Sequence, residues 1–272
     1  MSPRRTTSTA RRRAFVAIAL LLALALAVGA FVVWGLTPYR AEAGPLDRAR
    51  ALPGVRVEIT DDAVVLTPDD TGSGGTGSGG TASDEGSDTG VVFYPGARVE
   101  AEAYTAPWAP VVAATGVTVV IPRMPLNLAV LDPDRADDAV AEHGDGVERW
   151  YLGGHSLGGA MAASHAGDDP AFAPEGLVLW GSYATEGAGL AERDDLRVLS
   201  VSGGEDGLSD PAAIDENRGH LPGNAVMVEI DGMNHAQFGA YGDQSGDGAA
   251  RIDDAEAHRV LAETVTGFLT GG

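Results

Sequence analysis

Residues 147–159 read Val-Glu-Arg-Trp-Tyr-Leu-Gly-Gly-His-Ser-Leu-Gly-Gly, and an alanine-rich stretch, AMAASHA, follows at 160–166. An apolar run, a glycine-flanked serine and a helix-forming segment predict strand, sharp turn and helix in that order. This is the context that a Gly-x-Ser-x-Gly nucleophile elbow requires. Gly154 and Gly158 let the helix pack close to the strand, while Ser156 occupies the strained turn that lifts its hydroxyl clear of the sheet. The amide of Leu157, at the start of the expected helix, is then placed as an oxyanion donor.

The pattern around the elbow repeats its logic. Short apolar runs at 91–94, 117–121, 147–152, 177–181, 198–202 and 225–230 predict buried strands, and the segments 100–115, 135–143, 157–166, 211–218 and 253–269 predict helices. Continuous apolar strands separated by helices imply an α/β fold with a mostly parallel, doubly wound sheet covered on both faces. Ahead of them, 55–60 and 63–67 are β-branched runs around Asp61-Asp62 and predict a hairpin. Reactive groups in such a sheet belong in the loops after the strands.

A serine hydroxyl is a poor nucleophile until a base takes its proton. His235, just after the last expected strand in Asp231-Gly232-Met233-Asn234-His235-Ala236-Gln237-Phe238, is the best-placed base. His155 lies inside the elbow, and His143, His165, His220 and His258 lie in helical or loop stretches. The acid is expected after the preceding strand, in Ser202-Gly203-Gly204-Glu205-Asp206-Gly207-Leu208, with Asp206 favoured and Glu205 and Asp210 as rivals. Ser, Asp, His is the chain order of the α/β-hydrolase arrangement.

Phe93-Tyr94-Pro95-Gly96-Ala97, the GGHSLGG elbow, the GGEDGL acid turn and the NHAQFG segment together resemble the α/β-hydrolase superfamily, in its small dienelactone-hydrolase-like branch. The resemblance runs from about residue 90 to the end of the chain. It implies an α/β-hydrolase fold, a Ser156-His235-Asp206 triad and a second oxyanion amide from the loop after the first core strand, here Ala97. Pro95 stands where relatives commonly carry histidine. Dienelactone hydrolases use a cysteine nucleophile and this chain has none, so Ser156 points to a different acyl substrate. Only about 16 residues, 182–197, separate two strands where many relatives insert a cap, which predicts an open site for a small or flexible acyl group. Met124, Leu126 and Leu128 are candidates for acyl-pocket lining or for ordinary packing. Arg123 is a candidate partner for an anionic substrate or for a surface acid.

The expected activity is that of a carboxylesterase-like serine hydrolase with no metal or organic cofactor. A peptidase or thioesterase with the same triad, and a non-catalytic membrane-tethered binding module, are the alternatives. Composition narrows the partners. The chain has 272 residues, 18 basic and 39 acidic side chains and no cysteine, so disulfides and thiolate sites are excluded. All 18 basic residues are arginine, and six precede Ala41, where no acid occurs. The remainder carries 12 arginines against 39 acids, a net charge of −27 that repels phosphate backbones and excludes nucleic acid as a partner. An acid excess without lysine predicts a halophilic setting, because at molar salt the Debye length falls to about 3 Å; the alternative, a GC-rich genome that favours arginine over lysine, explains the missing lysine but not the −27.

The stretch 15–36 carries no charge and, as a helix, spans about 33 Å, enough for a bilayer. Five arginines precede it, which predicts a single-pass membrane anchor with a cytoplasmic N-terminus and the body outside. The alternative is a cleaved export signal, because Arg12-Arg13-Ala14-Phe15-Val16 resembles a twin-arginine signal and Ala41-Glu42-Ala43 has the form of a cleavage site. The expected organisation is a basic tail at 1–14, the anchor or signal at 15–36, a linker at 37–54 and the hydrolase domain at 55–272. A Gly/Ser/Asp-rich disordered loop is expected at 69–90. The sequence is silent on oligomeric state.

Overall fold

The computed structural model describes residues 6–69 and 87–271, which fall into two units divided between Pro38 and Tyr39. The first holds one helix, α1 (Thr6–Gly35), whose segment Phe15–Gly35 is long and apolar enough to cross a membrane or to serve as a signal.

The second unit is an eight-stranded sheet in the order β1-β2-β4-β3-β5-β6-β7-β8. Its strands are β1 (Val55–Ile59), β2 (Ala63–Pro68), β3 (Thr89–Tyr94), β4 (Thr118–Pro122), β5 (Arg149–His155), β6 (Pro174–Trp180), β7 (Arg197–Gly203) and β8 (Val226–Ile230). The hairpin β1–β2 joins β4 antiparallel, and every pairing from β4 to β8 is parallel. The helices are α2 (Ala43–Arg50), α3 (Thr105–Thr115), α4 (Arg135–His143), α5 (Leu157–Gly167), α6 (Pro211–Glu216) and α7 (Asp254–Thr270). This is the α/β-hydrolase fold.

Strand side chains alternate between faces, which divides the core in two. Val91 and Phe93 of β3 meet α3 and α7 on one side, while Val92 and Tyr94 meet α4 and α5 on the other. The first face is anchored by an aromatic group. The Phe93 and Trp180 rings lie 4.4 Å apart, Trp108 stacks on Trp180 at 4.9 Å, and Phe238, three residues beyond His235, stacks on Trp180 at 6.4 Å. Offset and tilted pairs of this kind add to what area burial alone contributes.

Three expectations change. The stretch 37–54, read as a linker, contains α2, whose Ala49 is buried against the core. Tyr39 bridges Val99, Ala41 N donates to Glu100 Oε2 at 3.0 Å, and Glu42 N donates to the Ala240 carbonyl at 2.8 Å. The chain is therefore bound to the body from Tyr39 onward. Ala49 is its one buried residue, so no apolar face marked the helix in the sequence. The loop read at 69–90 lies mostly outside the described residues, but Thr89 and Gly90 already belong to β3, paired with Arg149 and Trp150. The segment 100–115 begins as a 3₁₀ turn, Ala101–Tyr104, before α3.

Trp108 is fully buried, and truncating such a side chain leaves a cavity that its neighbours fill only in part. Trp108→Ala should cost about 3–5 kcal/mol, read as a lower urea midpoint at unchanged m-value.

Candidate active site

The turn from β5 into α5 is built on absent Cβ atoms. A Cβ on Gly154 would lie 2.5 Å from the Gly158 carbonyl carbon, and one on Gly158 would lie 2.3 Å from the Pro95 carbonyl oxygen. No other residue lets strand, helix and the 95–97 loop approach so closely. Ser156, at the apex, has φ 53° and ψ −126°, a conformation that costs of order 1–3 kcal/mol for a residue with a side chain. Its carbonyl accepts from Ser182 Oγ at 2.7 Å and its N–H donates to the Trp180 carbonyl at 3.0 Å, which hold the strained turn in place. The side chain is half-buried and reachable from solvent. Leu157 opens α5, so its amide has no partner within the helix. Ala97 sits half-buried in the facing loop.

The turns after β7 and β8 bring Asp206 and His235 together. Asp206 Oδ2 lies 2.7 Å from His235 Nδ1, and both side chains are buried. Asp206 Oδ1 accepts from the amides of Leu208 and Ser209 at 2.8 and 2.7 Å, which fixes the carboxylate's rotation. A carboxylate only accepts, so Nδ1 carries the imidazole proton and Nε2 is left as an acceptor. Nε2 is buried and has no hydrogen-bond partner among the described residues. The rival acids are engaged elsewhere: Glu205 pairs with Arg251 at 2.6 Å, and Asp210 caps α6 by accepting from Ala213 N.

His155 joins the two halves. Its ring lies 4.4 Å from the His235 ring, and its Nδ1 is 2.9 Å from Tyr104 Oη. The same hydroxyl accepts from the Gly96 amide at 2.8 Å. Burial pushes the Tyr104 phenol well above its ordinary value, so it remains a donor to Nδ1. Tyr104 thus ties the 95–97 loop to the elbow. No feature of the sequence signals this, because Tyr104 lies in the turn before a helix and meets its partners only through the sheet.

Other expected candidates fall outside this cluster. Met124 is buried in the same core cluster as Tyr94, Leu128 is buried, and Leu126 is a half-exposed turn residue at φ 52°. Arg123 pairs with Glu102, its Nη1 donating at 3.1 Å, and its Nε donates to the Thr60 carbonyl. His165 bonds to Asp137 and His258 to the Gly239 carbonyl. Residues 182–196 form turns with one 3₁₀ segment, Glu186–Ala188, and no cap helix.

Strand order, elbow and the facing turns after β7 and β8 define a hydrolase of the α/β class. The family model described as "Alpha/beta hydrolase family" matches residues 90–259; the chain belongs to that family. No curated protein matches it in sequence. Among solved structures it is similar to a hyperthermophilic esterase from the archaeon Pyrobaculum calidifontis, at TM-score 0.52 and 16% identity over 88% of this chain and 91% of that one. A thermostable esterase from Pseudomonas putida ECU1011 superposes at 0.50 and 16% identity over 83% and 87%. The esterase domain of a Rhodothermus marinus protein does so at 0.51 and 11% over 79% and 97%. At these identities the likeness is one of fold.

Burial, and then the nearby His235 ring, hold the His155 imidazole well below its ordinary value, opposed by the His235 backbone. Folded protein therefore keeps His155 neutral where the unfolded chain takes up a proton. The stability this confers is complete above the unfolded value of about 6.5 and is lost as pH falls from there toward the folded value. His155→Gln should flatten the fall in unfolding free energy between pH 6.5 and 5 by up to about 1.4 kcal/mol per pH unit, measured by urea titration at each pH.

Proposed function

We propose that the chain is a carboxylesterase-like serine hydrolase working through Ser156, His235 and Asp206 and an acyl-enzyme intermediate. The observation that carries this reading is the buried 2.7 Å bond between Asp206 Oδ2 and His235 Nδ1, with Nε2 unpartnered, in a sheet whose elbow turn after β5 holds a serine at φ 53°. His235 Nε2 takes the Ser156 proton as Oγ attacks the ester carbonyl carbon. Negative charge collects on the carbonyl oxygen, where the amides of Leu157 and Ala97 are the proposed donors; such donors act most strongly where water is excluded. The imidazolium, oriented and stabilised by Asp206, returns the proton to the departing alkoxide, whose bond to the acyl carbon breaks. Water then repeats the sequence with His235 as base, releasing the acid and restoring Ser156.

The half-exposed Ser156 and the absence of a cap helix at 182–196 favour small or flexible acyl esters. No step calls for a metal or organic cofactor. Ser156→Ala should reduce p-nitrophenyl butyrate hydrolysis in high salt by about 10⁴-fold or more without lowering the urea midpoint. Undiminished turnover would remove the assignment, and loss of fluorophosphonate labelling in the same variant would place the nucleophile independently.

We also propose that α1 is retained as a single-pass anchor, with the acidic body outside the membrane. Cleavage after Ala43 would remove Tyr39, Ala41 and Glu42, whose bonds to Arg98, Val99, Glu100 and Ala240 tie the entering chain to loops of the site. Ala43 itself begins α2, whereas a peptidase needs an extended, accessible segment. Intact mass of membrane-extracted protein should therefore include residues 15–43; a mature N-terminus at Gly44 would refute retention.

A further inference from the structure

Asp247 lies 41 residues beyond Asp206, in the loop between β8 and α7. Its carboxylate accepts from four backbone amides. Oδ1 takes Gly207 N at 3.1 Å, His235 N at 3.1 Å and Gly248 N at 2.7 Å, and Oδ2 takes Ala236 N at 2.8 Å. Gly207 follows Asp206 in the acid turn, and His235 is the residue whose imidazole Asp206 holds. One carboxylate therefore fixes the backbones on both sides of the Asp206–His235 bond.

The surrounding contacts make this a built junction. A Cβ on Gly248 would lie 1.9 Å from the Glu205 carbonyl oxygen, and one on Gly207 would lie 2.6 Å from Gly248 N. Asn234 Nδ2 donates to the Gly248 carbonyl at 2.9 Å, and Arg251 N donates to the Gly232 carbonyl at 2.8 Å. The loop is thus pressed into the gap between the turns after β7 and β8, with the Asp247 carboxylate between them.

We propose that Asp247 is a positioning residue that sets the distance and angle between Asp206 and His235. The inference rests on the triad reading above. Hydrogen bonds to an ionised acceptor are shorter and stronger than neutral ones, and four converging on one carboxylate leave the two turns little freedom to separate. Catalytic groups need to be held within about 0.5 Å of their working geometry, and a displacement of about 1 Å lowers rate by about 100-fold. Asp247 touches neither substrate nor reacting atoms, so its loss acts on the chemical step and leaves substrate binding in place.

The test uses the detergent-solubilised full chain, with p-nitrophenyl butyrate as substrate and a fluorophosphonate as the probe of Ser156. Asp247→Ala should lower kcat about 10- to 100-fold with KM within about two-fold, and slow fluorophosphonate labelling in proportion. Asp247→Asn keeps the shape but turns an N–H₂ toward one set of amides, and should fall between wild type and Ala. The far-downfield proton resonance of His235 Nδ1–H should move or broaden in both variants. Asp243→Asn, which removes a charge from the same loop, should leave kcat and the resonance unchanged. A wild-type kcat and resonance in Asp247→Asn would overturn the proposal, as would a loss confined to KM or to the urea midpoint. Ser156→Ala keeps the readings apart: if it retains turnover the triad fails, whereas if it is inactive while Asp247→Asn behaves as wild type, only the role of Asp247 fails.

Discussion

The site depends on a close approach that three glycines permit. β5, the N-terminus of α5 and the 95–97 loop meet where Gly154, Gly158 and Gly96 have no Cβ, and a methyl group at any of them would lie 2.8 Å or less from a neighbouring atom. At Gly154 and Gly158 backbone passes this near backbone, and Ser156 between them takes φ 53°. The strain is held by the parallel ladder on either side, where β5 pairs with β3 and β6 along nearly its whole length. Local strain of this kind persists only where surrounding structure over-determines it, and a central strand buried on both faces supplies that.

From this turn the remaining geometry follows by adjacency. His155 ends β5 and its ring meets that of His235 from the turn after β8, so the elbow is joined to the His235 turn through a ring contact as well as through strand order. Phe238 carries the histidine turn down onto Trp180 in the aromatic core, and Asp206 reaches across from the neighbouring turn. Tyr104 closes the circuit on the opposite side by holding Gly96 and His155 at once. Two buried imidazoles 4.4 Å apart are compatible with one another only while at least one is neutral. The Tyr104 donor and the dry surroundings assign that neutral role to His155.

What the sequence disclosed tracks the range of the interactions involved. The strands and α5 were legible because apolar runs and glycine pairs are local signals, and β5 was placed within three residues for that reason. The turns that carry Ser156, Asp206 and His235 were legible because a strand followed by a glycine-rich turn marks where a parallel sheet presents side chains. Tyr104 and Asp247 were not, since each acts through contacts between turns that are distant in sequence. Asp247 did carry a faint sign: it stands between Gly246, at φ 89°, and Gly248, a flanking that marks a tight polar turn but gives no partner. The helix α2 was hidden for the opposite reason, because its docking relies on short apolar contacts and on backbone bonds from Tyr39 to Glu42 that no periodicity announces.

The acidic surface and the acidic groups of the site obey different physics. Carboxylates scattered over the body repel through solvent at distances comparable to the Debye length, so their mutual cost rises as salt is removed. Asp206 and Asp247 instead have their charge met at 2.7–3.1 Å by amides and an imidazole. Contacts that short, with no ion or water between the partners, are little screened even where the Debye length is about 3 Å. Repulsion that depends on salt is accordingly confined to the surface carboxylates. The contacts of Asp206 and Asp247 are insulated from that repulsion for as long as the turns after β7 and β8 remain joined.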